Sequence, residues 1–211
     1  MNPQINFLLN KAFDSLGGSN FESAHLYLKQ ALKLQPNNPH VLRLLGVIAA
    51  QRKQYSEALD YLNLSLKALP KNALTLSNLG NIFFDLSDFS NAIDMYDKSI
   101  KLEPKYAEAY SNKGNVLYEL KRYEEAITYY DKALSLKSDY AEAYSNKGNT
   151  LNELKRYEEA IAIYDKALSL KPDYAEAYSN KGNTLNELKR YEEAIAQCDR
   201  AIFLKPDYAE A

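Results

Sequence analysis

The 34 residues from Ala141 to Tyr174 recur almost letter for letter from Ala175 to Tyr208, and a third copy runs from Ala107 to Tyr140. A fixed period of this size dictates a stack of equivalent units, each touching only its neighbours. No unit of this length can bury its own apolar stripe, so the stack supplies the core. Function then belongs to a surface rather than to one enclosed pocket. The frame extends backward without insertion, giving six units at 5–38, 39–72, 73–106, 107–140, 141–174 and 175–208. Residues Asp207 to Ala211 match the opening of another unit, so a seventh is expected to start at 209–211. The chain therefore reads as a single repeat domain that is an excerpt or shares an edge.

Small residues keep the frame. Ala24, Ala58, Ala92, Ala126, Ala160 and Ala194 hold one place in all six units, and Gly46, Gly80, Gly114, Gly148 and Gly182 hold another in the last five. Two helices approach closely only where side chains are short. Pro36, Pro70, Pro104, Pro172 and Pro206 close most units, since proline cannot continue a helix. In the fourth unit Tyr110, Lys113, Gly114 and Leu117 line one helical stripe over roughly 107–120. Tyr123, Ala126, Ile127, Tyr130, Ala133 and Leu134 line a second over roughly 123–136. Glu124 and Glu125 open the second helix and Lys132 and Lys137 lie near its end, the arrangement the helix dipole favours. The expected fold is all-α, a stack of six antiparallel helix pairs.

Charge excludes several functions. Lys and Arg number 26 against 28 Asp and Glu, a formal net of −2, and the basic residues recur in turns and at helix ends rather than in a patch. Nucleic acid or an anionic membrane surface would require such a patch. The start lacks a basic segment and a long apolar run, and no stretch is long enough to span a membrane, so a cytoplasmic protein is expected. His25 and His40 fall in different units without further ligands around them, which argues against a metal site, and no cofactor is expected. Cys198 stands alone, where earlier units have Tyr130 and Tyr164, and reads as a packing residue. No phosphate loop occurs. The chain is expected not to be an enzyme.

The repeats resemble the tetratricopeptide repeat family. The second unit carries Leu42, Leu45, Gly46, Ala49, Tyr55, Ala58, Leu62 and Pro70 at the family's places. The third carries Leu76, Leu79, Gly80, Phe83, Phe89, Ala92, Tyr96, Ser99 and Pro104. The resemblance implies a right-handed α-solenoid acting as a protein-interaction scaffold. One departure is that Lys113, Lys147 and Lys181 replace the family's leucine before the glycine. A lysine can lay its stem on apolar neighbours and keep its ammonium wet, so these three are expected at a seam edge rather than in the core.

The same resemblance implies that the first helices line a concave groove. Its places carry Asn78, Asn81, Asn112, Asn115, Asn146, Asn149, Asn180 and Asn183, expected to bind peptide. An asparagine amide offers an acceptor and donors that match one peptide unit. The ladder is similar to the inner wall of the repeat arm of O-linked N-acetylglucosamine transferase. Glu108, Glu119, Glu142, Glu153, Glu176 and Glu187 flank it, so a neutral to basic protein or peptide partner is expected, and groove substitutions are expected to leave stability nearly unchanged. Phe13, Val47, Phe84 and Tyr118 form an expected apolar patch at other groove places. The carboxylate clamp of chaperone partners is disfavoured, because the matching places Ser111, Asn115, Asn146, Glu176 and Asn180 lack cations. The alternatives are the substrate-presenting arm of a larger enzyme such as a glycosyltransferase, and an RNA-binding helical repeat, which the acidic groove places fit poorly.

The last second helix carries Tyr191, Ile195, Cys198, Ile202 and Phe203 with no following helix in the sequence to cover them. This edge is expected to associate with a second copy, another chain or further repeats.

Overall fold

The computed structural model describes residues 3–206. The expected start of a seventh repeat at 209–211 lies outside the described residues. These form twelve α-helices and no strand, in two compact units divided after Pro104. The first unit holds α1 (Pro3–Gly17), α2 (Phe21–Leu34), α3 (Pro39–Gln51), α4 (Tyr55–Ala68), α5 (Ala73–Asp85) and α6 (Phe89–Leu102). The second holds α7 (Ala107–Glu119), α8 (Tyr123–Leu136), α9 (Ala141–Glu153), α10 (Tyr157–Leu170), α11 (Ala175–Glu187) and α12 (Tyr191–Leu204). Each repeat is thus one helix pair, and the fourth repeat's helices fall within a residue of the sequence expectation.

The frame alanines fix the contact within each pair. Ala24, Ala58, Ala92, Ala126 and Ala160 are fully buried. Gly46, Gly80, Gly114 and Gly148 each face a large side chain of the partner helix. A methyl group on Gly80, Gly114 or Gly148 would lie 2.6, 2.7 or 2.6 Å from the ring of Tyr96, Tyr130 or Tyr164. Those three tyrosines are the largest fully buried side chains. Between repeats within a unit, the second helix of one packs on the first helix of the next: in the second unit Ile127 joins Leu151, Ala160 and Tyr164, and Ile161 joins Leu185 and Ala194.

The two units start their helices differently. In the first, Asn20, Asn38, Asn72 and Asp88 accept backbone N–H groups of Ser23, His40 and Val41, Thr75 and Asn91. Such caps contribute about 1 kcal/mol each. In the second no helix has a side-chain cap. There Arg122, Arg156 and Arg190 instead make two-pronged bonds to Glu125, Glu159 and Glu193 in the first turn of the second helices.

Every first helix ends on a left-handed residue that is not glycine: Ser19, Lys53, Ser87, Lys121, Lys155 and Lys189, with φ between 57° and 61°. At the end of α7 the Arg122 N–H bonds the Leu117 carbonyl and the Lys121 N–H bonds the Tyr118 carbonyl, both at 2.8 Å. This pairing satisfies helix-end carbonyls but suits glycine at the left-handed place. A β-carbon there costs about 1–2 kcal/mol, against about 0.5–1 kcal/mol of unfolded-chain entropy that glycine adds. Lys155→Gly is therefore expected to raise stability by about 0.5–1 kcal/mol, read by urea denaturation. A loss of stability would show that the turn is not strained.

The three frame lysines divide. Lys147 and Lys181 lie half-buried at the seam between repeats and bond Asp131 and Asp165 of the preceding second helices at 2.6 and 2.7 Å. Lys113 departs from the expectation: it is buried, with its ammonium 4.5 Å from the centre of the Tyr129 ring. The aromatic face substitutes for water around part of the cation.

Candidate interaction surface

In the second unit, asparagines three apart on α7, α9 and α11 share one helix face. The structure ties them together through partners that the sequence reading missed. The Tyr130 hydroxyl donates to Asn115 Oδ1 at 2.9 Å, and the Tyr164 hydroxyl donates to Asn149 Oδ1 at 2.7 Å. The same oxygens accept from the next repeat: Asn146 Nδ2 lies 2.9 Å from Asn115 Oδ1, and Asn180 Nδ2 lies 2.9 Å from Asn149 Oδ1. Burial pushes both tyrosines far above the ordinary phenol range, with Thr150 and Thr184 opposing more weakly, so each stays protonated and donating. Each relay runs from a core tyrosine to one repeat's asparagine to the next repeat's asparagine. It fixes which end of each amide is engaged between repeats. Asn115 and Asn149 accept twice through Oδ1, which leaves Nδ2 outside the relay, whereas Asn146 and Asn180 donate into it through Nδ2, which leaves Oδ1 outside.

A signal for this relay was present in the sequence. Tyrosine at the second-helix place and asparagine at the first-helix place occur together as Tyr96 with Asn81, Tyr130 with Asn115, and Tyr164 with Asn149. They are absent together where Leu62 stands with Val47 and Leu28 with Phe13. In the sixth repeat Cys198 replaces the tyrosine, and Asn183 is exposed. Burial, followed by the Asp199 charge, pushes the Cys198 thiol up, which opposes thiolate chemistry. In the first unit Tyr96 donates to Asn81 Oδ1 at 2.7 Å, and Asn78 Nδ2 is buried without a hydrogen-bond partner. Its counterparts Asn146 and Asn180 reach an asparagine of the preceding repeat; Asn78 meets Val47 at that place, which cannot accept.

The relay changes the expected cost of substitution. Asn146 and Asn180 are half-buried and bonded to the preceding repeat, so removing their amides also removes repeat-to-repeat bonds. At these places groove substitutions are therefore expected to cost stability. The acidic flank is also smaller than the sequence implied. Lys137 pairs with Glu108 at 3.0 Å and Lys171 with Glu142 at 3.1 Å. Burial works against the charge on Glu142, yet its own backbone amide and Lys171 hold the carboxyl below its ordinary range. Glu119, Glu153 and Glu187 remain exposed on the face, the latter two beside the Tyr123 and Tyr157 hydroxyls at 3.4 and 3.5 Å.

Phe13 is 51 % exposed, and Val47 and Phe84 are half-buried. Phe84 packs against Phe89, and in the second unit the half-buried Tyr118 packs against Tyr123. On α12, Ile195 is 61 % and Phe203 73 % exposed, and Tyr191 and Ile202 are also exposed. Cys198 is half-buried. The equivalent Ile161 and Tyr164 on α10 are buried. Among the described residues no cluster of three or more His, Cys, Asp or Glu could hold a metal, and no helix is long and apolar enough to cross a membrane. His25 is held below the ordinary imidazole range by burial and by Arg52 and Lys29.

One family profile described as tetratricopeptide repeat matches residues 11–73 and 146–209, more than half of the chain. The chain belongs to the tetratricopeptide repeat family. Further profiles of tetratricopeptide repeats match 105–173 and 80–121. No curated protein sequence matches the chain. Among solved structures it is similar to MamA, at 26% identity over 79% of this chain and 98% of that one, with a TM-score of 0.67. It is similar in fold to PilW, a type IV pilus biogenesis factor, at 19% identity, covering 100% of this chain and 97% of that one, with a TM-score of 0.87. YrrB, described as a tetratricopeptide repeat protein with an unusual peptide-binding site, is 21% identical over 87% of this chain and 94% of its own, with a TM-score of 0.62. The helical-repeat fold and this membership support a protein-interaction scaffold in general, the usual non-catalytic role of such repeats.

Proposed function

We propose that the chain is a non-catalytic scaffold that holds an extended peptide or protein segment on the face of its first helices, with the second unit's asparagines as the binding row. The observation that supports this reading is the tyrosine–asparagine–asparagine relay. It leaves Nδ2 of Asn115 and Asn149 and Oδ1 of Asn146 and Asn180 outside the relay, donors and acceptors in alternation that would complement the alternating N–H and C=O of a main chain. The side chains are held in place before a partner arrives, so less rotamer freedom is lost on binding. Asn112 and Asn183 extend the row in this reading. Glu119, Glu153 and Glu187 favour a neutral to basic partner, with a salt-sensitive association rate.

The test is isothermal titration of a partner peptide selected from a random displayed library against the intact chain. Asn146→Ala with Asn180→Ala is expected to weaken binding by about 1–3 kcal/mol, one to two hydrogen-bond rungs. The same variant is expected to lose about 1 kcal/mol of stability for each repeat-to-repeat bond removed. The titration is therefore run well below the melting transition. Undiminished affinity in the folded double variant would reject the asparagine row as the site.

A further inference from the structure

The interior seams of the second unit repeat one set of contacts. Lys147 bonds Asp131 and Lys181 bonds Asp165 at 2.6 and 2.7 Å, Asn146 reaches Asn115, and Asn180 reaches Asn149. Each set joins a first helix to the repeat before it. On the sixth repeat the receiving half of this set stands open. Asp199 holds the place of Asp131 and Asp165, Asn183 holds that of Asn115 and Asn149, and both are exposed. They border a hollow of about 470 Å³ formed by α11 and α12, whose lining also includes Cys198 and Ile202.

The inserting half of the same set stands open on α1. Asn10 and Lys11 hold the places of Asn146 and Lys147, and both are exposed. The second and third repeats have Leu45 and Leu79 where the first has Lys11, so lysine there is not common to the early repeats. Among the described residues Lys11 has no carboxylate partner and Asp199 has no cation. Lys11 lies 5.9 Å from the centre of the Phe7 ring, so the two share one face of α1. Phe7 is exposed at the place where Thr75, Ala109, Ala143 and Ala177 are buried. That place meets the preceding second helix: Thr75 Oγ1 lies 3.2 Å from Ser65 Oγ, and Ala201 is the counterpart of Ser65 on α12. An end face built only for solubility is polar at such a place, and a phenylalanine is not.

We propose that α12 of one copy takes α1 of a second copy as its covering helix, in the register of an interior seam. Lys11 of the second copy pairs with Asp199, the Asn10 amide donates to Asn183 Oδ1, and Phe7 packs over Ala201 and Ile202. The second copy thereby adds an asparagine to the row and fixes Asn183, which Cys198 cannot hold as a tyrosine does. Ser15 stands where the interior repeats have Leu151 and Leu185, so Ile195 is covered less fully than Ile161. The seam is weaker than an interior one for that reason, and the association depends on concentration. The contact is heterologous, so each pair keeps one open α1 and one open α12 for further copies.

The test is a charge exchange on the full chain, read by sedimentation velocity over a concentration series. Lys11→Asp and Asp199→Lys are each expected to weaken association about tenfold, because each sets like charges against one another at the seam. An equimolar mixture of the two variants is expected to associate as the parent does, and so is the double variant, since opposite charges meet again in both. Both residues are exposed, so the helical content of each variant is expected to match the parent by circular dichroism. Association that survives Lys11→Asp unchanged overturns α1 as the occupant and leaves α12 pairing with α12 about a two-fold axis. Single variants that fail to recover on mixing overturn the register, and a parent of constant monomeric mass overturns the contact altogether. The peptide-binding reading stands apart, because Asn146→Ala with Asn180→Ala leaves both faces of this seam intact.

Discussion

A glutamate at Ile161 is expected to destabilise the second unit by about 3–5 kcal/mol, and the same change at Ile195 by no more than about 0.5 kcal/mol in the monomer. The two residues hold the same place in successive repeats. Ile161 is buried against Leu185 and Ala194 of the next repeat, whereas Ile195 is 61 % exposed. At Ile161 the change loses apolar burial and places a carboxylate among apolar neighbours without a cation. Burial raises the folded-state pKa of the introduced carboxyl above its unfolded value. The protonated form therefore favours the fold: the loss is full at neutral pH and shrinks as pH falls through the raised folded-state value. Chemical denaturation of both variants across pH reads the difference. Equal losses at the two positions would mean that α12 is covered as α10 is. We propose that the α12 edge self-associates, and molar mass across a concentration series reads this separately: the parent is expected to gain mass with concentration and Ile195→Glu to stay monomeric. A parent of constant monomeric mass would remove the edge from consideration.

Gly148→Ala is expected to lower stability by about 1–2 kcal/mol, although alanine is the better helix former by about 1 kcal/mol. The added methyl would stand 2.6 Å from Tyr164 Cε1, and the ring is 1 % exposed with no free space to yield into. Displacing the ring also pulls its hydroxyl from Asn149 Oδ1, so the relay is strained together with the packing. The comparison is Gly182→Ala, whose methyl would stand 2.8 Å from the Cys198 sulfur, on a helix whose outer face is open. That variant is expected to lose less. A gain in stability from Gly148→Ala would show that the glycine–tyrosine contact does not set the spacing of α9 and α10.

The helix pairs were legible because the signal is repetition. One place carries alanine six times and another glycine five times, and a residue demanded at one spacing by every unit is demanded by packing. Lys113 shows where such reading stops: its sequence context matches that of Lys147 and Lys181 closely, yet it is buried against Tyr129, while the other two sit at the seam on aspartates. The asparagine row shows the same limit in chemistry. The residue type and its place are written in the sequence, and they suggested free amides in an open groove. Only the tertiary structure brings Tyr130 beside Asn115, fifteen residues away in the chain, and Asn146 beside the same oxygen from the next repeat. By itself the sequence determined the period, the two-helix unit and the apolar stripes, because local propensity and stacking repeat the same demand six times. The tertiary structure decided which amide end is bonded between repeats, which lysine is buried, and that Val47, Ala50 and Leu62 border a hollow beside Asn78, because each depends on contacts between helices that no local pattern encodes.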